Sequence, residues 1–473
     1  MKKYLLFFAA LSSITQYAFS DDFNSQKEAH KKVKLDTSIV KATMMNSKLD
    51  ELNRNVYEID KESITDKGYR STEDIFRYTP FVGLSNVGLG SNLDLRGQGN
   101  RANISVQVLI NGIYSNMLDS SHGVTPLNTL SPSSIESIEI LPGGGAVMYG
   151  NGTRGGVVNI ITQRRYEEPF FTAGLSYGNT IASTGHSYNA DAKFGTKLGD
   201  RTYISLGAAY INRGGPRSGD KTSGAQANMG LIYDISQGGH SLSFDVDYFN
   251  GIIRTSPNNS FMDIKNPSKD DRKTPGNGSL HNTQQRLDVS LGHKGELSEN
   301  SKLDVKAFYH LNRINYVDSI TRLSSFSYMN MVLNNASADQ SGSLFDDQKA
   351  GITAKYDLKH TNGLFILGAE SIWNRGKRTM DQMIDWSGNV SINPGAQQVT
   401  GYKHRILVPF VGTKWSNALY TLEKYDFSKS FSLTGGARYE YAYYDIDVSY
   451  FNDMKITMTN SSVPSKYTTL GSL

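Results

Sequence analysis

The chain has 473 residues, no cysteine and a formal net charge of +4. The absence of cysteine excludes disulfide bonds, thiolate metal sites and cysteine nucleophiles. So small a charge gives no reason to expect a nucleic-acid partner. The 27 tyrosines, 20 phenylalanines and 45 glycines, against only 12 prolines, are typical of many extended segments joined by turns.

The first twenty residues have the pattern of a secretory signal peptide. Lys2 and Lys3 precede an apolar run from Tyr4 to Leu11, and Ala18 to Ser20 form a small-x-small cleavage site. The apolar run is too short to span a bilayer. We therefore expect residues 1–20 to be removed and the mature chain to be exported.

A polar leader follows, and residues 43–165 then combine short β runs, Gly-rich turns and one helical segment. The β runs include Val106 to Ile110 and Val157 to Thr162. The helical segment, Ser71 to Tyr78, begins with a capping hydroxyl and is followed by Pro80. This pattern predicts a small mixed α/β domain.

Residues 166–473 show long alternation of apolar and polar residues, as in Ser241 to Tyr248 and Leu303 to His310. One strand face is apolar or aromatic, and the other carries Asp, Asn, Lys and Ser. Tight turns alternate with long connections, which is typical of an all-β transmembrane antiparallel barrel. The alternative is a soluble β-sandwich, but its strands would be shorter.

Four segments resemble, in order, the plug-domain signatures of TonB-dependent outer-membrane receptors. They are Asp74 to Pro80, Leu93 to Gly97, Val108 to Tyr114 and Ile135 to Thr162. The leader, residues 21–42, contains a stretch that resembles the TonB box of this family: Asp36, Thr37, Ser38, Ile39 and Val40. The five segments together, between a signal peptide and alternating strands, identify the chain as similar to this family.

The resemblance implies an N-terminal mixed α/β plug domain at residues 43–165, placed inside the barrel formed by residues 166–473. It also implies that the box adds a strand to TonB, the periplasmic coupling protein, through backbone hydrogen bonds. Arg96 and Arg154 lie in Gly-flanked turns, and the resemblance implies that they pair with barrel carboxylates and lock the plug in place. Solvated surface charges are the alternative for both.

The resemblance places the ligand at loops of the plug apex, where the candidate binding residues are Arg101, Asn103, Tyr114 and His122. No catalytic arrangement, metal-ligand motif or cofactor-binding motif occurs in the sequence. The Gly-rich segment at 143–156 is not a phosphate-binding loop, because no Gly-Lys-Ser/Thr follows it. We therefore expect a receptor without a cofactor rather than an enzyme.

The segment Gly143 to Tyr149 is most similar to the branch of the family that takes up ferric siderophores and ferric citrate. The Phe-Arg-Ala-Pro and Asn-Pro-Asn-Leu loop motifs of haem receptors are absent. The resemblance implies import of a ferric complex across the outer membrane of a Gram-negative bacterium. The energy would come from the proton gradient, through TonB and its inner-membrane energising proteins. The alternatives are a haem, cobalamin or nickel receptor of the same family.

The number of strands departs from the family. Direct counting gives about eleven alternating segments, whereas plugged transporters have about 22 strands. The segment Phe431 to Tyr441 resembles a strand near the middle of family barrels, and Thr468 to Leu473 lack the closing strand that ends in Phe or Trp. We therefore expect a partial barrel from a truncated or split gene. The competing interpretations of the chain are a non-transporting remnant and an exported adhesion protein.

Overall fold

The computed structural model describes residues 39–40, 47–48, 56–86, 91–118, 123–143, 145–162, 165–179, 185–214, 221–235, 239–255, 278–315, 320–322, 325–328, 331–334, 337–393, 397–428, 430–460 and 463–470. Among these residues, no helix has the length and apolar character needed to cross a membrane.

The N-terminal part of the described chain contains nine short strands and three short α-helices. The strands are β1 (Ile39–Val40), β2 (Ser47–Lys48), β3 (Tyr57–Asp60), β4 (Gly83–Asn86), β5 (Ser91–Asp94), β6 (Val106–Ile110), β7 (Ile113–Tyr114), β8 (Ser137–Pro142) and β9 (Gly156–Ile161). The helices are α1 (Lys61–Asp66), α2 (Thr72–Arg77) and α3 (Ala146–Tyr149), and the 3₁₀ turns are Gly99–Ile104, Leu127–Thr129 and Pro132–Ser134. We call residues 56–162 the N-terminal domain.

Side-chain caps explain where the first two helices begin. The Asp60 side chain accepts a hydrogen bond from the Ser63 N–H (2.8 Å) at the start of α1. The Ser71 hydroxyl accepts a hydrogen bond from the Asp74 N–H (3.0 Å) at the start of α2. This cap confirms the helix predicted after Ser71. Ile75 and Phe76 of α2 are fully buried.

The core of the N-terminal domain surrounds a five-stranded sheet with the order β3-β8-β9-β6-β7. Strands β6 and β9 are parallel and the other neighbours are antiparallel. All six residues of β9 are buried, as expected for a central strand covered on both faces. The core is almost entirely aliphatic, and Phe76 is the aromatic residue of its main cluster.

The rest of the described chain is dominated by a 14-stranded antiparallel sheet, which we call the wall. Its strands are β10 (Phe170–Asn179), β11 (His186–Leu198), β12 (Thr202–Gly214), β13 (Lys221–Asp234), β14 (Ser241–Thr255), β15 (Gly278–Ser298), β16 (Ser301–Asn315), β17 (Ile320–Arg322), β20 (Ser337–His360), β21 (Gly363–Asn393), β22 (Gln397–Ser428), β23 (Phe431–Val448), β24 (Phe451–Asn460) and β25 (Val463–Leu470). A separate hairpin joins β18 (Ser325–Tyr328) and β19 (Met331–Asn334).

The order of the wall runs from β10 at one edge to β25 at the other. Strands β23 and β24 both pair with β22, one with each half of it, so they follow each other along the same neighbour. Within the described residues, β10 to β16 and β20 to β23 therefore form eleven long strands, in agreement with the predicted number.

The wall buries polar side chains and exposes apolar ones. On β15, Arg286, Asp288 and Ser290 are buried, whereas Leu291 on the opposite face is 57% exposed. Alternate residues of a strand point to opposite faces, so the polar residues face the N-terminal domain and the apolar ones face outward. This arrangement confirms the predicted alternation and is typical of a sheet whose outer face meets lipid.

Candidate functional site

The loop after β7 is anchored to the wall by Leu118. Its N–H donates a hydrogen bond to an Asp347 side-chain oxygen at 2.6 Å. Its side chain packs against Gly376 and Gly412, which are partners in the register of β21 and β22. A Cβ added at Gly376 would lie 3.0 Å from the Leu118 Cβ. Because Gly376 and Gly412 have no side chains, Leu118 and its loop can approach the wall closely at this point.

A small apolar cluster supports the same loop. Met117 and Val124 pack with Ile314 and Phe345 of the wall, and all four side chains are buried. The two flanks of the loop are therefore held by apolar contacts with the wall, one on each side of residues 119–122.

A cavity of about 510 Å³ opens beside Leu118. Its volume lies within the range of small-molecule binding sites. Its apolar and aromatic lining is formed by Met117, Leu118, Phe345, Met380, Val408, Phe410, Tyr444 and Ile446. Its charged lining is formed by Asp346, Asp347, Lys377, Arg378 and Asp445. The cavity can therefore hold a bulky ligand that has an apolar surface together with a few polar groups.

Two of the three carboxylates that line the cavity are bound to cations of the wall. Asp346 accepts a hydrogen bond from the Arg313 Nε at 2.8 Å, and Asp347 forms an ion pair with Lys349. The Arg378 guanidinium lies 5.4 Å from the centre of the Phe345 ring. Positive and negative side chains therefore nearly balance in the lining, which favours a ligand without a large net charge.

A buried ionic cluster joins the other side of the N-terminal domain to the wall. Arg286 is fully buried and forms ion pairs with Asp247 (2.6 Å) and Asp288. Its Nε also donates a hydrogen bond to the Thr129 hydroxyl at 2.7 Å. Beside it, the Gln226 side-chain carbonyl accepts a hydrogen bond from the Ser131 N–H at 2.7 Å. The short 3₁₀ turns of the N-terminal domain are thereby bound to β13, β14 and β15.

A second ionic cluster involves Tyr114 of the N-terminal domain. Its hydroxyl donates a hydrogen bond to Glu370 at 3.0 Å. Glu370 also pairs with Arg438, which donates a hydrogen bond to the Met148 carbonyl at 3.4 Å. Burial raises the pKa of Tyr114 well above its usual value, and the nearby Glu370 charge raises it further. The phenol is therefore protonated at neutral pH and remains a hydrogen-bond donor.

Two further contacts cross the same boundary. Lys306 of the wall donates a hydrogen bond to the Asn111 carbonyl at 2.6 Å, and Lys193 of the wall pairs with Glu136. In the contacts of Arg286, Arg438, Lys193 and Lys306, the cation belongs to the wall and the acceptor to the N-terminal domain.

The two predicted lock residues, Arg96 and Arg154, are both exposed. Within the described residues, neither side chain forms an ion pair with a carboxylate. The Arg96 guanidinium lies against Gly143, where an added Cβ would be 2.7 Å from its Nη2. Their role as locks stays a prediction, and the ionic contacts across the boundary come from other residues.

The predicted ligand-binding residues are spread over different surroundings. Arg101 is exposed, whereas Asn103 is buried and its carbonyl accepts a hydrogen bond from Asn116 at 2.8 Å. Tyr114 contacts Glu370, and neither it nor Arg101 or Asn103 lines the cavity beside Leu118. His122 lies outside the described residues. The assignment of these residues to the ligand stays a prediction.

The predicted TonB box is only partly described. Asp36, Thr37 and Ser38 lie outside the described residues, and Ile39 and Val40 form the short strand β1. The extended backbone of β1 is the conformation that strand addition to a partner requires.

Sequence reasoning missed the residues that bring the two parts together. Arg286 and Asp288 were visible as polar positions on one face of an alternating strand. Their contact with Thr129 depends on how the N-terminal domain lies against the wall. Gly376 and Gly412 are two glycines among 45 in the chain, and their pairing became visible only in the register of β21 and β22.

Residues 48–157 match the family of the TonB-dependent Receptor Plug Domain. Most of the chain is also similar to solved receptor structures. The ferric citrate transporter FecA in its unliganded form matches with a TM-score of 0.60 and 16% identity, over 87% of this chain and 63% of that chain. The chain thus spans less than two thirds of the length of that transporter.

Two other receptors have similar folds. A mutant of the ferric enterobactin receptor PfeA from Pseudomonas aeruginosa has a TM-score of 0.52 and 12% identity, over 90% of this chain and 80% of that one. The ferric yersiniabactin uptake receptor FyuA from Yersinia pestis has a TM-score of 0.52 and 15% identity, over 86% of this chain and 62% of that one. At these identities the similarity establishes the fold.

Proposed function

The chain has the plug domain and the fold of the TonB-dependent receptors, which are not enzymes, and from this premise we propose that it imports a ferric complex across the outer membrane. The cavity beside Leu118 is the observation that carries the proposal, because both the plug and the wall line it. A ligand in this cavity touches both parts at once. Its binding can therefore change how firmly the plug is held.

The lining of the cavity favours a ferric siderophore over ferric citrate. Apolar and aromatic side chains dominate it, and its two cations stand among three carboxylates. A small, strongly anionic complex would need an excess of cations. The similar structures are named as receptors or transporters of ferric citrate, ferric enterobactin and ferric yersiniabactin. Haem, cobalamin and nickel are the alternative ligands.

The polar boundary between plug and wall supports an energised release step. Buried ion pairs contribute little net stability, because the cost of desolvation offsets most of their attraction. The plug is therefore oriented by buried ionic contacts, next to an apolar cluster in which Tyr149 and Val157 of the plug pack with Phe308 and Tyr420 of the wall. In our proposal, TonB binds the box at Asp36 to Val40 and transmits force derived from the proton gradient. The plug then shifts and the ligand passes to the periplasm.

Deletion of Asp36 to Ala42 tests the coupling step. We expect the deletion strain to bind the ferric complex like wild type and to lose uptake, because the ligand cavity lies in another part of the chain. Binding and uptake of radiolabelled iron complex by whole cells measure the two effects separately. Deletion of the same number of leader residues upstream of Asp36 is the control, and normal transport without the box would refute the coupling.

Growth of an iron-starved strain, with and without the gene, tests the ligand class. Each culture receives one iron source: a hydrophobic siderophore, ferric citrate or haem. We expect gene-dependent growth on the siderophore. Gene-dependent growth on haem alone, or cobalamin uptake instead, would reverse the ranking of ligands.

A further inference from the structure

Two histidines lie close together on the outer side of the wall, away from the plug. His240 directly precedes β14, and His293 lies on β15. On β15, His293 is an odd number of residues away from Arg286 and Asp288. Its side chain therefore points to the opposite, outer face of the wall. The Nδ1 of His240 is 3.5 Å from the Nε2 of His293, and the ring centroids are 5.6 Å apart.

The distance between these nitrogens fits a shared metal ion better than a direct hydrogen bond. Hydrogen bonds from nitrogen donors are usually about 2.7–3.2 Å long. Two imidazole nitrogens bound to one tetrahedral zinc ion, each at about 2.0–2.1 Å, are roughly 3.4 Å apart. The observed separation therefore matches the spacing of two imidazole nitrogens on one ion.

Glycines make room for the two rings. A Cβ added at Gly295 would lie 2.5 Å from the His240 Nδ1 and 3.0 Å from the His293 Cε1. Gly239 has a φ of +77°, so the chain turns sharply immediately before His240. An added Cβ there would lie 2.7 Å from a Glu296 carboxylate oxygen, so this carboxylate, which also pairs with Lys302 at 2.6 Å, lies beside the turn.

We propose that His240 and His293 bind a divalent transition-metal ion of the zinc class, with water completing the coordination. Imidazole is a preferred ligand of zinc, nickel and copper ions. The ion bridges the residue that directly precedes β14 and the C-terminal part of β15, at the end of the wall where the tight turns lie. It therefore links β14 to β15 at this end of the wall. The ion is separate from the transported iron complex.

Zinc binding by the full-length chain in detergent tests the site, measured by competition with a chromophoric chelator. We expect H240Q and H293Q each to lose one equivalent of zinc, or to bind it at least about tenfold more weakly. Glutamine retains hydrogen bonding but is a poor ligand for zinc. The control is H360Q, because His360 lies at another tight turn and pairs with Glu423 at 2.8 Å. This control should bind zinc like wild type.

Two further measurements keep the test decisive if a glutamine variant folds poorly. The variant G295A keeps both histidines but moves a methyl group against His240, and it should also bind zinc more weakly. With Cu²⁺ as the probe, electron paramagnetic resonance should show two coupled nitrogens in wild type and one in H293Q. Equal zinc binding by wild type and H293Q, or an equal loss in H360Q, would overturn the proposal.

Discussion

The inside of the plug and its boundary with the wall are built from different chemistry. The plug interior is an apolar cluster that includes Phe76, Ile138 and Val158, each fully buried. The boundary combines an apolar cluster, in which Tyr149 packs with Phe308, with buried charged groups, as where Arg286 binds Asp247 and Thr129. Burial of apolar surface contributes roughly 25 cal/mol per Å², whereas a buried ion pair contributes little net free energy. The plug core is thus stabilised by apolar burial, whereas the boundary adds buried ionic contacts, which contribute orientation, to its apolar contacts.

Truncation of the plug core should have the largest effect. We expect F76A to destabilise the plug by about 3–5 kcal/mol, because it leaves a cavity in a fully packed site. Hydrogen exchange of the β9 amides measures the loss. The control is Y78A, since Tyr78 is 68% exposed and its truncation should leave the exchange rates nearly unchanged. Similar effects of the two variants would mean that the plug core does not stabilise the plug independently.

Removal of the Arg286 cation from the boundary between plug and wall should have the second largest effect. We expect R286M to weaken the contact of plug and wall by about 3 kcal/mol, because Asp247 and Asp288 remain buried and lose the Arg286 guanidinium, although they keep their contacts with Gln226 and His310. Faster hydrogen exchange at Thr129 to Ser131, with unchanged exchange in β9, is the expected signature.

Two variants control for R286M. Adding D247N to R286M should restore part of the loss, since it removes one unpaired charge. The exposed Arg201, which donates a hydrogen bond to the Ile235 carbonyl at 3.3 Å, supplies R201M as a surface control. If R286M also accelerates exchange in β9, the boundary and the core are not separate as we describe.

Substitution of Gly376, which packs against Leu118, should have a milder effect. We expect G376V to displace the loop and cost about 1–3 kcal/mol through overpacking, with weaker ligand binding as a result. G435V is the matched control, because a Cβ at Gly435 meets no atom within 4 Å. The affinity of the iron complex is measured on cells that carry each variant. Equal affinities for G376V and G435V would show that the ligand does not bind in the cavity beside Leu118.

The smallest expected effect concerns a plug turn. Burial favours neutral Asp94, but backbone N–H groups of Gln98, Gly99 and Arg96 outweigh it and lower the pKa of this carboxyl group. A lowered pKa stabilises the folded state above the unfolded pKa, and the contribution is lost as pH falls through the folded value. We expect D94N to cost about 1 kcal/mol at neutral pH, discounted for solvent exposure.

The pH dependence separates this turn from the core. The difference in unfolding free energy between wild type and D94N should shrink as the pH falls from above the unfolded pKa of Asp94 to below its lowered folded pKa. Thermal unfolding at pH 7 and at pH 3 measures both values, with D66N as the control at an exposed carboxylate of the plug. A difference that stays constant over this range would show that charge is not the cause.

Much of this protein could be predicted from the sequence alone. Alternation with a period of two predicted the long strands, since it follows from backbone geometry at each position. Ser71 and Pro80 predicted the limits of α2 for the same local reason. The plug signatures predicted the N-terminal domain, and the family match over residues 48–157 confirms it.

Only the tertiary structure decided which residues meet across the boundary. The contacts of Thr129 with Arg286, of Tyr114 with Glu370 and of Leu118 with Gly376 join positions far apart in the chain. The sequence showed that each strand has a polar face, but partners on that face depend on the strand register and on the orientation of the plug. A one-residue shift of register moves every side chain to the other face. The cavity beside Leu118 and the histidine pair therefore exist only because distant segments come together in one fold.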